Sequence, residues 1–357
     1  MTDKFNWDKV PKELYTRLGN SGLEISKIIL GCMSYGNKTW FPFILDQEDE
    51  VMEMMKKAYD SGIRTFDTAC NYSNGDSERF IGLFLKKYNI DRRSIVILSK
   101  CYYPSTDNPE GGNLILPNNE PGHEYRNRTG LSRRNIIDSV EGSVERLGTH
   151  IDVLQIHRFD PNTPIEETME ALHDVVKSGK VRYIGASTMR AYQFVQMQSV
   201  AEAKGWTKFI SMQGYYSLLY RDEEDELIAY CKKTGVGLIP WSPLAGGVLA
   251  RPLDKAYNST DRSSDPFIAA MYGLSTLNEG DKAIINRVEE LAKKYNVSMA
   301  AISSAWCIAR QHYPILGLSK PSRIDDALQA IKINLTEEEL KYLEEPYLPR
   351  KLPHLFR

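Results

Sequence analysis

The 357-residue chain has no long apolar run, no clustered cysteines and almost no net charge, and each shortfall removes a class of function. Its longest charge-free stretch, Thr234 to Ala250, is broken by glycines and prolines, whereas a membrane helix needs about 20 predominantly apolar residues. The N-terminal MTDKFNWDKVPKEL carries charges throughout and lacks the apolar core of a secretory signal, so a soluble, cytoplasmic protein without a membrane partner is expected. The five cysteines (Cys32, Cys70, Cys101, Cys231 and Cys307) include no CxxC pair; buried free thiols in a reducing compartment are the simpler account. The histidines form no HxH, HExxH or i,i+4 pair, and no metal site is expected. Lys and Arg number 45 against 47 Asp and Glu, so no global positive field draws the chain to nucleic acid. Walker A and GxSxG patterns are missing too, and no strand is followed by GxGxxG.

What is present is a regular alternation. With 42% apolar and 26% charged residues the chain is an ordinary folded one. Short β-branched or apolar runs alternate with amphipathic stretches, the order of parallel βα units. Strands are predicted near Ile28-Leu30, Thr65-Phe66, Ile95-Leu98, Val153-Ile156, Val181-Ile184, Phe209-Met212, Val236-Ile239 and Ile315-Leu316, eight in all. Helices are predicted over Asp46 to Tyr59, Ser132 to Leu147 with a Ser cap and a Gly148 stop, and Asp222 to Thr234, whose run of acids reads as a solvated cap. Thr336-Glu339 is a capping box for a last helix that Pro346 ends. The stretches 104–130 and 251–280 read as long loops, and Thr16-Leu18 and Leu23-Ile25 flank the turn of a hairpin at about 15–26 that could plug a barrel. The expected fold is an α/β (β/α)8 TIM barrel over residues 1–357, one domain with an N-terminal β-hairpin, long βα loops and a tail at 346–357. On strand count alone, an open doubly wound sheet competes with it.

Four polar residues stand where strands hand over to loops: Asp67 after the second, Tyr72 just beyond it, Lys100 closing the third and His157 closing the fourth. Each has an ordinary structural reading taken singly, as a turn cap, a packed ring, a snorkelling chain and a core imidazole. In a closed barrel they converge on one rim. Together they make an acid catalyst: a phenol whose high pKa a neighbouring ammonium lowers, a carboxylate that holds the ammonium, and an imidazole that donates to a carbonyl oxygen. Such equipment suits carbonyl reduction, the hydride coming from elsewhere. A strand-end lysine can also be a Schiff-base nucleophile, so a lyase built on Lys100 is a rival.

Gly62-Ile63-Arg64-Thr65-Phe66-Asp67-Thr68-Ala69 through Tyr72, with Lys100 and His157 in order, resembles the signature and catalytic tetrad of the aldo-keto reductases, and the likeness runs from the hairpin to Asp326. Leu154-Gln155-Ile156-His157-Arg158-Phe159 and Trp241-Ser242-Pro243-Leu244 are similar to the fungal aryl-alcohol dehydrogenase-like members. The resemblance implies reduction of aldehydes, aromatic ones included, and of ketones, with Tyr72 as the acid. It implies bound NADP(H): Met33 and Asp67 near the cofactor, Ser187, Thr188 (where Asn is usual) and Gln213 on the carboxamide, and Trp241 stacked on the nicotinamide. Backbone amides of Ser242, Leu244 and Gly246 would cradle the pyrophosphate, Pro243 and Arg251 would be further cofactor contacts, and Gly317, Ser319, Lys320 and Arg323 would lie around the 2′-phosphate. Asp326 would be on the adenine side. Helix-terminal amides beside two cations suit that extra phosphate, hence NADP(H) over NAD(H). Trp40, Tyr72, Tyr102, His157 and Arg158 are the expected substrate contacts for a small carbonyl or alcohol, with Phe41, Phe43, Tyr103 and Phe159 as further aromatics of the barrel mouth. The same family contains potassium-channel β subunits, so a nucleotide-sensing regulatory module is the alternative; the oligomeric state is left open.

Overall fold

A computed structural model describes residues 12–106, 108, 110–114, 122–255 and 277–349. The tail beyond 349, most of the 251–280 loop and the middle of the 104–130 loop lie outside the described residues.

The chain opens with an antiparallel hairpin, β1 (Tyr15–Arg17) and β2 (Glu24–Ser26), in the register Tyr15↔Ser26 and Arg17↔Glu24. Eight parallel strands follow: β3 (Ile29–Gly31), β4 (Thr65–Asp67), β5 (Val96–Cys101), β6 (Ile151–Ile156), β7 (Val181–Ser187), β8 (Phe209–Gln213), β9 (Gly237–Leu238) and β10 (Ile315–Leu316). Their spatial order is β10-β3-β4-β5-β6-β7-β8-β9, with no reversal of the kind a doubly wound sheet requires. The Tyr313 amide donates to the Leu238 carbonyl at 2.9 Å and the Ile315 amide to that of Pro240 at 3.0 Å, joining the last strand to β9 and closing the barrel.

The helices between the strands are α1 (Glu48–Asp60), α2 (Asp76–Lys87), α3 (Arg133–Leu147), α4 (Ile165–Lys177), α5 (Ala191–Lys204), α6 (Ala229–Thr234), α7 (Glu279–Tyr295) and α8 (Met299–Ala309), and α9 (Pro321–Gln329) and α10 (Glu337–Glu344) follow the last strand. The α1 helix buries Val51, Met52, Met54, Met55 and Ala58 on one stripe. For α3, the Ser132 hydroxyl accepts the Asn135 amide at 3.3 Å, and Gly148 ends it in the left-handed region at φ 66°. Thr336 and Glu339 form the reciprocal box before α10. The segment predicted as one helix over Asp222 to Thr234 differs: a wide turn at Glu224–Ile228 precedes a short α6. Its acids are not simply solvated. Glu224 accepts from Arg221 Nε at 2.9 Å and from the Tyr216 hydroxyl at 2.5 Å, and these ties hold the first turn away from regular helix geometry.

The barrel interior is layered. Leu18 and Ile25 of the hairpin pack with Ile29, Leu98, Val153, Ile239 and Ile315 in an apolar cluster at the end where the strands begin. The Asn20 amide ties the hairpin turn to the Gly235 carbonyl at 2.8 Å. A side chain at Gly19, φ 59°, would collide with that same carbonyl. Two residues further along each strand, on the same inward face, come Gly31, Lys100, Gln155, Trp241 and Gly317. The Gly31↔Asp67 and Lys100↔Gln155 register adds Asp67 beside them. An apolar plug therefore gives way, in one step of the strand repeat, to a polar layer facing the opposite mouth.

Because Leu18 is fully buried in that plug, Leu18→Ala should cost about 2–5 kcal/mol in urea unfolding by leaving a cavity. A loss below about 0.5 kcal/mol would contradict the plug.

Candidate active site

Lys100 is enclosed at the centre of the polar layer. Its ammonium donates to Asp67 Oδ1 at 2.6 Å, to the Thr68 carbonyl at 2.8 Å and to the Tyr72 hydroxyl at 3.3 Å. The second Asp67 oxygen accepts from Gln155 Nε2 at 3.1 Å and Gln213 Nε2 at 2.8 Å. Gln213 Nε2 also donates to Gln155 Oε1 at 2.8 Å. The carboxylate is thus held at both oxygens, and the ammonium is oriented by three acceptors. The His157 ring stands edge-on to Tyr72 with centroids 5.9 Å apart, and edge-on to Tyr103 at 5.1 Å. The four residues that the strand ends were expected to bring together do converge on one rim. Gln155 is an unanticipated member; its signal is a polar residue at an inward position between Val153 and His157.

The electrostatics differ from expectation in one respect. Burial pushes the Tyr72 phenol above its ordinary pKa, and the Lys100 ammonium only partly pulls it back against the Asp67 charge. The expected lowered phenol is therefore corrected: in the protein alone desolvation wins. The ammonium still matters, because it steadies the phenolate that proton donation leaves. For Lys100 itself burial opposes the charge, but Asp67 and the Tyr72 oxygen outweigh it and hold the pKa above the usual lysine value. A Schiff-base nucleophile needs the opposite, a lysine that loses its proton readily, so the lyase reading does not fit. Burial, then the Arg158 and Lys100 charges, drive the His157 pKa well down, and the imidazole is neutral at physiological pH.

Tyr72 and His157 open onto a cavity of about 780 Å³. At one end it is walled by Trp40, Phe41, Phe43, Tyr103, Asn113 and Arg158. Tyr102, expected there, is absent from the wall and Tyr103 lines it instead, because the chain bends beyond the strand, with Tyr102 at φ 151°. Phe159 is likewise packed against the core rather than the cavity. Asn113 belongs to the first long loop, which Asn74 Nδ2 ties down by donating to the Gly112 carbonyl at 2.8 Å.

The rest of the cavity wall includes Met33, Asp67, Ser187, Gln213, Trp241, Ser242, Pro243, Leu244 and Gly246. Trp241 is braced rather than loose. Tyr215 stacks on its ring at 4.7 Å, and the indole Nε1 donates to Thr188 Oγ1 at 3.0 Å. Thr188 is accordingly not a wall residue; its hydroxyl supports the indole, a correction to its expected place on the carboxamide. At the far end lie Arg251, Gly317, Ser319, Lys320, Arg323 and Asp326, with α9 starting at Pro321 and Arg323 Nη1 donating to Ser319 Oγ at 2.8 Å. Arg251 Nη1 is buried with no hydrogen-bond acceptor among the described residues, and burial together with the Arg323 charge lowers its pKa. Two guanidinium groups of like charge in one wall beside a helix N-terminus fit an anionic group such as a nucleotide phosphate. Among the described residues no group of three or more His, Cys, Asp or Glu could hold a metal ion, and no helix is long and apolar enough to cross a membrane.

Comparison with known proteins matches this arrangement. The model of the aldo/keto reductase family covers residues 27–347. The chain belongs to the aldo-keto reductase family. Among its relatives, a Schizosaccharomyces pombe protein provisionally named an aryl-alcohol dehydrogenase is 56% identical over 94% of this chain and 96% of its own. The versiconal hemiacetal acetate reductase of Aspergillus parasiticus is 51% identical over 95% of this chain and 98% of its own. An aldo-keto reductase of Fusarium vanettenii is 49% identical, over 95% and 92%. The protein is accordingly an oxidoreductase of a family that generally uses NAD(P)H, with a cavity suited to a small-molecule substrate.

The Lys100–Asp67 pair carries a stability signature. Lys100→Met should cost about 3–5 kcal/mol in chemical denaturation because it strands a buried carboxylate. The double variant Asp67→Asn/Lys100→Met should recover part of that loss; equal losses in single and double variants would contradict the pairing.

Proposed function

We propose that the protein is an NADPH-dependent reductase of aldehydes, aromatic ones among them, and of ketones, and that Tyr72 is its general acid. The observation that carries this reading is the Tyr72 hydroxyl set 3.3 Å from the buried Lys100 ammonium, at the wall of a cavity whose far end gathers Arg251, Lys320 and Arg323. Reduced nicotinamide, when bound, supplies a hydride to the carbonyl carbon. Ser187 and Gln213 would hold the carboxamide end and Trp241 would fix the ring face, its own position set by Tyr215 and Thr188. The neutral His157 orients the carbonyl oxygen toward Tyr72. Tyr72 gives its proton to that oxygen as it gains negative charge. An alkoxide is a far stronger base than a phenolate, so the raised pKa of Tyr72 does not prevent the transfer. Lys100 stabilises the phenolate that remains, and Asp67, fixed by Gln155 and Gln213, keeps Lys100 charged.

Preference for NADPH over NADH follows from Arg251 and Arg323, which would share the 2′-phosphate with Ser319 and Lys320. A nucleotide-sensing subunit would use the same far end, but would have no need of an acid poised on a buried ion pair.

Tyr72→Phe should lower kcat by about 100-fold or more while NADPH affinity, read from cofactor fluorescence, stays within about threefold. Substantial retained turnover would contradict the assignment, whereas tight cofactor binding with negligible wild-type turnover of any aldehyde would favour the sensor. Replacing Arg251 and Arg323 together with alanine should cut the NADPH-over-NADH preference in kcat/KM by about 10-fold or more; an unchanged ratio would remove them from the phosphate site.

A further inference from the structure

Among the described residues, the aromatic end of the cavity contains one cation that no acid answers. Arg158 sits among Trp40, Phe41, Phe43 and Tyr103. Its guanidinium carbon lies 5.7 Å from the Tyr103 ring centroid, and Nη1 donates to the His157 carbonyl oxygen at 2.6 Å. Its Nε is buried without an acceptor among the described residues. No described carboxylate pairs with this side chain. Two acids nearby, one in the cavity wall and one in sequence, are committed elsewhere, and the other wall carboxylate, Asp326, lies at the far end with Lys320 and Arg323. Asp67 is taken by Lys100. Asp160 accepts from the Leu131 amide at 2.7 Å, the Thr163 hydroxyl at 2.7 Å and the Asn162 amide at 2.9 Å.

A flat aromatic substrate entering this end strips water from the guanidinium, and a desolvated charge without a partner is costly. A carboxylate or acidic phenol on the ring supplies the missing partner in the two-pronged geometry that guanidinium favours. The backbone oxygen and the Tyr103 face already hold the side chain, so little freedom remains to be lost on binding. We propose that the site selects carbonyl compounds whose aromatic ring bears an acidic group, and that Arg158 recognises that group. This assignment rests on the reductase reading of the same cavity. A residue that merely held the His157 backbone or steadied the Tyr72 phenolate would affect all carbonyl substrates alike, which separates the roles experimentally.

The test compares para-carboxybenzaldehyde with para-tolualdehyde as substrates, with NADPH, in wild type, Arg158→Met and Arg158→Lys. The wild type should prefer the carboxylate in kcat/KM. In Arg158→Met that preference should fall about 10- to 100-fold, chiefly through KM for the carboxylate, and Arg158→Lys should restore part of it. A wild type that favours the tolualdehyde overturns the proposal whether or not the variants fold. So does a preference ratio that Arg158→Met leaves within about twofold of wild type. Binding of the same two aldehydes to the protein with NADP+, followed by tryptophan fluorescence, gives a readout independent of turnover. Arg158-dependent tighter binding of the carboxylate supports the proposal, and if no aldehyde is reduced it ends the reductase reading alone. Equal binding of both aldehydes by wild type overturns the proposal.

Discussion

A charged lysine inside a barrel is tolerable only if something charged and immobile meets it, and here that is Asp67, 2.6 Å away with both partners buried. Much of the surrounding structure can be read as the support for this pair. Gln155 and Gln213 satisfy the second carboxylate oxygen, and the Thr68 carbonyl takes another ammonium proton. With those places filled, the remaining direction of the ammonium is toward Tyr72, so the arrangement that makes the burial bearable also sets a positive charge against the phenol.

The barrel provides that enclosure by parity. Inward residues two apart along each strand share a face, so Leu98 joins the plug while Lys100 joins the polar layer, and Val153 and Gln155 divide in the same way. Closing the sheet through β9 and β10 brings Trp241 and Gly317 to the same rim. The cavity above it is polarised along its length, with aromatic rings and one guanidinium at one end and clustered cations at the other. Such a division suits an elongated ligand pair whose anionic half lies far from the reacting carbon.

The barrel was legible in the sequence because eight apolar runs alternate with amphipathic stretches, and the hairpin because two alternating runs flank a glycine turn. The four rim residues were legible because a polar side chain at the end of an apolar strand has few structural uses. Four things were not. Gln155 lies within a strand, where only its inward parity marks it. Tyr103 could not be told from Tyr102, since which of two adjacent rings faces a cavity depends on a backbone turn that composition does not encode; Tyr102 adopts φ 151°. The balance at Tyr72 was misjudged because the ammonium is visible as a residue, whereas the opposing desolvation exists only once the barrel is closed. Helix Asp222 to Thr234 failed for a related reason: the ties from Glu224 to Arg221 and Tyr216 are tertiary and override the local pattern.

The influence of Lys100 on the Tyr72 phenol is the point on which the mechanism turns, and it can be measured without substrate. Carbon-13 labelling of the tyrosine ring carbon that bears oxygen, with the Tyr72 resonance identified by its loss in Tyr72→Phe, follows the ionisation of this one residue as pH rises. The account predicts that Tyr72 ionises above the ordinary tyrosine value in the wild type and at still higher pH in Lys100→Met. A Tyr72 that ionises at the same or lower pH when the ammonium is gone would contradict it.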